Sequence, residues 1–194
     1  MSTLKIILGS TRPGSIAPAI GDWVADQARQ LADFDEVAIL DLAEINLPFL
    51  DEPHHPKLGR YTKPHTLAWA NDIDTADALV IITPEYNGGY PAPLKNALDF
   101  LHAEWSNKAL GMVSYGGGLS GGARAADMLL PVTSQLGLAC ARHTVAIPRA
   151  NRQVVDGEFV PTPADSGNIT AMLAELARMD AQLAPRRAAL APAG

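Results

Sequence analysis

Three hydroxyl side chains and one permanent cation lie within Gly9-Ser10-Thr11-Arg12-Pro13-Gly14-Ser15. Hydroxyl donors beside a guanidinium suit an anion, and phosphate above all, because Arg presents a planar fork of N–H groups to its oxygens. The residues before the loop, Leu4-Lys5-Ile6-Ile7-Leu8, are apolar and of strand length. After it, Ile16, Ile20, Trp23, Val24, Gln27 and Leu31 recur at helical spacing. A strand that passes through a short polar loop into a helix start aims backbone N–H groups and the positive helix end at whatever the loop encloses. Without a ligand, the same residues make an ordinary strand-to-helix connection capped by Ser15.

What the loop lacks narrows its ligand. Gly9 and Gly14 have the spacing of a nucleoside-triphosphate loop, but Ser15-Ile16 stand where Lys-Ser/Thr is needed, which argues against NTP hydrolysis. Gly9-Ser10-Thr11 breaks the dinucleotide fingerprint at its second glycine. A hydroxyl-rich loop for a terminal monophosphate remains, of the kind flavodoxin-like folds use.

Composition sets the outer bounds. The chain has 194 residues, 47% of them hydrophobic, and a formal charge of -6, which disfavours nucleic acid as a partner. No stretch is long and apolar enough to span a membrane, and no N-terminal signal pattern is present. Cys140 is the sole cysteine, so no intrachain disulfide forms, in keeping with a reducing cytoplasm. His54 and His55 are adjacent on a Pro-rich stretch with no third spaced ligand, so no metal is expected.

Along the chain, strands and helices alternate. Strands are expected at Leu4–Leu8, Glu36–Leu42, Ala78–Thr83, Ala109–Ser114 and Ala139–Ile147. Helices follow the first loop, then at about Pro64–Ala76, after Pro91 with Pro93 in the first turn, up to Leu136 with a bend at Pro131, and at Gly167–Leu183. The stretch Asn46–Thr62 is irregular, and Asp156-Gly157 between β-rich flanks signals a hairpin. The alternation implies one α/β domain, residues 1–184, with a five-stranded parallel sheet between helical layers and a disordered tail over 185–194. In flavodoxin-like order 2-1-3-4-5, the loops after strands one, three and four lie side by side at the carboxyl edge. Those loops are the ones richest in Gly, Ser, Asn and Tyr.

Three motifs in these loops carry a family resemblance. Gly9-Ser10-Thr11-Arg12-Pro13-Gly14-Ser15 resembles the first loop of the NAD(P)H-dependent FMN reductases. Pro84-Glu85-Tyr86-Asn87 with Pro91 and Leu94-Lys95-Asn96-Ala97-Leu98-Asp99 is similar to that family's second motif, and Ser114-Tyr115-Gly116-Gly117 with Gly121-Gly122 to its third. One departure stands out: Ile16 and Ala17 occupy the place where many members carry Asn. The resemblance implies that Ser10, Arg12 and Ser15 hold the phosphate of bound FMN. It implies that Pro84, Glu85, Tyr86, Asn87 and Gly88 line the isoalloxazine, with Ser114, Gly116 and Gly117 along its other edge. NADPH or NADH would be the co-substrate, and a quinone, flavin, azo or similar compound the acceptor. The flavin carries the chemistry, so no catalytic side chain is assigned. Because hydride donor and acceptor would share one flavin face, ping-pong kinetics are expected.

Two other classes fit the same fold. A flavodoxin-type electron carrier would be more acidic and would lack Pro-Glu-Tyr-Asn; a non-catalytic flavin-binding regulator shares every motif. A phospho-acceptor domain is disfavoured, since Thr83-Pro84 and Gly9-Ser10 stand where acidic residues are required. A homodimer or dimer of dimers is expected, partly from the resemblance and partly because Phe100 and Trp105 lie beyond the helical stripe that follows Pro91.

Overall fold

Hydrophobic pattern sets the layers. In the computed structural model, which describes residues 2–31 and 33–190, strand β1 spans Thr3–Leu8, β2 Glu36–Asp41, β3 Ala78–Pro84 and β4 Ala109–Tyr115. All pair in parallel in the order β2-β1-β3-β4, and β5 (Ala139–Cys140) and β6 (Val145–Ile147) continue the sheet along β4. This is the flavodoxin-like order expected from the alternation of elements. Every residue of β3 is buried, as a central parallel strand covered on both faces requires.

Alternate strand residues feed two cores. Leu4, Ile6, Leu8, Val80, Ile82 and Val113 pack under helices α1 (Ala17–Leu31) and α6 (Pro163–Leu190). Ile7, Leu79, Ile81, Leu110 and Met112 pack under α3 (Pro64–Asp74), α4 (Ala92–Asp99) and α5 (Ala123–Gln135). A short helix, α2 (Leu42–Ile45), follows β2 directly. Asp156 (φ 52) and Gly157 (φ 88) turn the expected hairpin between β7 (Val154–Val155) and β8 (Glu158–Phe159). Both left-handed positions are what a two-residue I′ turn needs.

Three expectations are corrected. The fifth strand is split, because the Glu175 carboxylate on α6 accepts the N–H groups of Arg142 (3.1 Å) and His143 (3.0 Å) and draws them off the ladder. The last helix starts at Pro163 and runs to Leu190, so residues 185–190, expected in a disordered tail, are helical. Arg187 holds that end against the sheet: its guanidinium donates to Asn107 O (3.2 Å) and Asp77 (3.0 Å) and pairs with Asp180. Residues 191–194 lie outside the described residues. Phe100 and Trp105 belong to the chain's own core rather than to a surface. The Trp105 indole N–H donates to Leu98 O at 3.2 Å and its ring meets Trp69 edge-on, so the argument they offered for an oligomer falls.

Lys108, at the entry to β4, is also buried, and its ammonium donates to the carbonyls of Ile73, Asp74 and Ala76. It closes the C-terminal end of α3, where carbonyls lack helical partners.

Candidate active site

At the carboxyl edge of the sheet, single backbone bonds carry the ladder one residue past the strands. Gly9 N–H donates to Ile82 O (2.9 Å), Glu85 N–H to Tyr115 O (3.2 Å) and Gly116 N–H to Ile147 O (3.3 Å). The loops after β1, β3, β4 and β6 are thereby fastened side by side. Gly9 is closely packed: a Cβ there would stand 3.0 Å from the Leu94 side chain and 3.2 Å from Ile82 O.

The first loop closes on itself through Ser15 N–H to Arg12 O at 3.0 Å, and the Ser15 hydroxyl accepts Ala17 N–H at 3.2 Å, which satisfies one free N–H at the start of α1. No acidic residue occupies the first turn of α1 to oppose an anion. Arg12 is exposed, its guanidinium donating to the carbonyls of Pro13 (3.2 Å) and Gly14 (3.4 Å) of its own loop. Among the described residues it has no carboxylate partner. Two phenols close over this loop. The Ser10 hydroxyl lies 2.7 Å from the Tyr86 hydroxyl, and the Ser15 hydroxyl 3.2 Å from that of Tyr115. Burial pushes the Tyr115 phenol up, which keeps it a neutral donor.

Asn87 (φ 52) and Gly88 (φ 84) form a tight turn between Tyr86 and Gly89, whose N–H and C=O groups exchange bonds of 2.8 and 3.0 Å. These two residues turn the chain and thereby present Tyr86. Glu85 stands behind it: one carboxylate oxygen is 3.7 Å from the Arg124 guanidinium, and the other is buried without a hydrogen-bond partner. In the third loop the Ser114 hydroxyl is buried and donates to Gly121 O at 2.9 Å. Gly122 beyond it, at φ 82, has Tyr115 O only 2.7 Å from where a Cβ would sit. Ser114 therefore shapes the glycine loop from behind.

The loops enclose a cavity of about 320 Å³. Of the residues singled out by sequence, Arg12, Pro84, Glu85, Tyr86, Gly116 and Gly117 line it together. Ser10 and Ser15 reach it through the tyrosine hydroxyls, while Asn87, Gly88 and Ser114 act on its shape. Gly14 and Ile16 add to the wall, so the place of the missing Asn is filled by an apolar side chain. Tyr115, part of the third motif but given no role by sequence, also lines the cavity, and Asn151 is a lining residue that sequence reasoning missed. Asn151 follows the last strand of the sheet, and the rule that pointed to the other strand-end loops extends to that one as well.

Residues 3–152 match the family model described as NADPH-dependent FMN reductase. The chain belongs to this family. An NAD(P)H-dependent FMN reductase of Schizosaccharomyces pombe is 40% identical over 160 residues, 81% of this chain and 78% of that protein. An FMN-dependent NADPH-azoreductase of Staphylococcus saprophyticus subsp. saprophyticus is 30% identical over 155 residues, 79% of this chain and 81% of that protein. In architecture, the flavoenzyme NAD(P)H:(acceptor) oxidoreductase of Paracoccus denitrificans superposes with a TM-score of 0.73 at 20% identity, covering 94% of this chain and 98% of that one. The family makes the protein an FMN-dependent oxidoreductase with NAD(P)H as co-substrate.

The cavity's chemistry fits FMN. A dianion suits the wall at Arg12, beside a helix N-terminus and next to the Ser10 and Ser15 hydroxyls that contact the lining tyrosines. A planar ring suits the wall where Gly116 and Gly117 carry no side chains, and the orphaned Glu85 oxygen calls for an N–H or O–H donor. No helix among the described residues is long and apolar enough to cross a membrane.

Proposed function

We propose that Arg12, Ser10 and Ser15 hold the FMN phosphate, and that Pro84, Glu85, Tyr86 and the Gly116–Gly117 backbone line the isoalloxazine. Bound FMN supplies hydride acceptance from the nicotinamide and its delivery to an acceptor. The chain's part is to bind, orient and limit access. The observation that carries this reading is the convergence of Arg12, Glu85, Tyr86, Gly116 and Gly117 on one cavity of about 320 Å³. A flavin seated there with one face left open beside Tyr86 has room on that face for one planar partner at a time. Hydride transfer needs reacting atoms about 3–3.5 Å apart, so donor and acceptor take turns in the same place. Ping-pong kinetics follow.

The acceptor class is planar and electron-poor: a quinone, a flavin or an azo compound such as the staphylococcal relative's name specifies. Two further features belong to the proposal. Tyr86 and Met128 are both exposed beside Gly89, and this apolar rim supports a homodimer, or a dimer of dimers, with each site close to the partner. A lone, half-buried Cys140 suits a reducing, cytoplasmic setting. The test is initial-rate kinetics with NADPH and benzoquinone both varied. Parallel double-reciprocal lines are expected; intersecting lines would overturn the shared-face mechanism.

A further inference from the structure

The loop that follows β6 has a second face. Asn151 lines the flavin cavity, while its neighbours Arg149 and Arg152 line a separate cavity of about 430 Å³ between this loop and the first turns of α6. Both arginines are exposed, and among the described residues neither has a carboxylate within ion-pair distance. The acid in the same wall, Asp165, is buried and engaged, accepting the N–H (2.8 Å) and the hydroxyl (2.6 Å) of Thr162.

The loop's conformation is held against its own preference. Arg149 has φ 52, a left-handed setting uncommon for a residue with a β-carbon. Its N–H donates to Gly118 O at 3.0 Å and its carbonyl accepts Arg152 N–H at 2.8 Å, while Ala150 N–H donates to Gly116 O at 3.1 Å. The same bonds that fix the two guanidiniums therefore tie them to the glycine loop lining the flavin cavity. In a chain of net charge -6, an uncompensated cationic pair here gives a polyanion a favourable place to land.

We propose that Arg149 and Arg152 bind the phosphates of the nicotinamide dinucleotide whose ring enters the adjoining flavin cavity. In NAD(P)H one ribose separates the nicotinamide from the pyrophosphate, so the cations that read it must border the ring site without lining it. The 2′-phosphate of NADPH is a second anion of the same chemistry, farther along the molecule. The proposal rests on the reading of the flavin cavity as the place of hydride transfer.

Two neutral variants of similar size, Arg149→Gln and Arg152→Gln, test it in the FMN-loaded protein. Each should raise the KM for NADPH about tenfold, the loss of one charge-assisted contact, with the effect on KM rather than on kcat. Arg149→Lys should restore part of it. Calorimetry with 2′,5′-ADP, which has no nicotinamide, should show weaker binding to both Gln variants. Arg29→Gln on α1 removes the same charge elsewhere and should do neither. An equal rise in KM for NADH assigns the pair to the pyrophosphate, and a rise for NADPH alone to the 2′-phosphate; either supports the proposal. Unchanged KM and unchanged 2′,5′-ADP binding in a double Gln variant, with the parent protein turning over normally, would overturn it and leave the flavin site intact. A parent protein that oxidises neither dinucleotide would overturn the underlying reading and this proposal with it.

Discussion

Replacing Arg12 by Ala separates the phosphate site from the rest of the flavin site. The side chain is exposed, and its two contacts are long ones to carbonyls of its own loop, at 3.2 and 3.4 Å. Folding therefore loses little, within about 0.5 kcal/mol, as for ordinary surface substitutions. Binding loses a charge-assisted hydrogen bond to phosphate, worth about 1.5–3 kcal/mol, or roughly tenfold to a hundredfold in the dissociation constant. Ser10→Ala removes a neutral hydroxyl and should cost about 1 kcal/mol, near fivefold. The assay is titration of the apoprotein with FMN and, in parallel, with riboflavin, which has the same ring and no phosphate. Arg12→Ala should weaken FMN and leave riboflavin unchanged. Equal weakening of both, or an FMN affinity equal to that of the parent protein, would refute the assignment.

Other perturbations test the scaffold. Lys108→Met should leave the carbonyls of Ile73, Asp74 and Ala76 without their donor and lower stability by about 1–3 kcal/mol or more, read from urea unfolding. Gly122→Ala forces a Cβ to within 2.7 Å of Tyr115 O at φ 82, so its melting temperature should fall along with FMN affinity. Glu175 is held at about 2, below its ordinary 4.5, first by the backbone N–H of His143 and then by the His143 side chain and Arg142 N–H. A carboxylate lowered in the fold adds stability that is whole above pH 4.5 and fades as pH falls towards 2. Glu175→Gln should flatten the stability profile across that window and change it little in slope above it. Sedimentation at micromolar concentration should find a dimer or tetramer; a fully active monomer would remove the oligomer from the proposal.

Local pattern explains what was legible, and distance explains the rest. The unbroken apolar run Ala78–Thr83 marks a central strand, and Asp-Gly at 156–157 marks a hairpin, because both signals sit within a few residues. The glycine- and hydroxyl-rich loops were readable as one site because sheet topology brings strand-end loops together. By contrast, the break in the fifth strand is caused by Glu175, more than thirty residues away. The burial of Trp105 depends on Trp69 and on Leu98 O, and no periodicity announces it. Tyr115 was visible as a loop residue, but its reach to Ser15 crosses 100 positions of chain. Ser114 shows the converse: a hydroxyl in a binding motif that folding turns inward.

The backbone bonds at the sheet edge say how this site works as a binding device. Gly9 to Ile82, Glu85 to Tyr115 and Gly116 to Ile147 fix three loops to strands that are themselves buried. A ligand entering between them has little chain to order, so most of each contact's free energy remains as affinity. In the proposed arrangement a phosphate seated on Ser10 and Ser15 would compete for the hydroxyls of two tyrosine–serine contacts, 2.7 Å at Ser10 and 3.2 Å at Ser15. Tyr86 is exposed beside a two-residue turn and Tyr115 is buried on a strand, so Tyr86 is the one with room to yield. In the proposed arrangement the phosphate end and the ring end are coupled through a single side chain: a phosphate anchored on Ser10 would release the phenol that borders the ring.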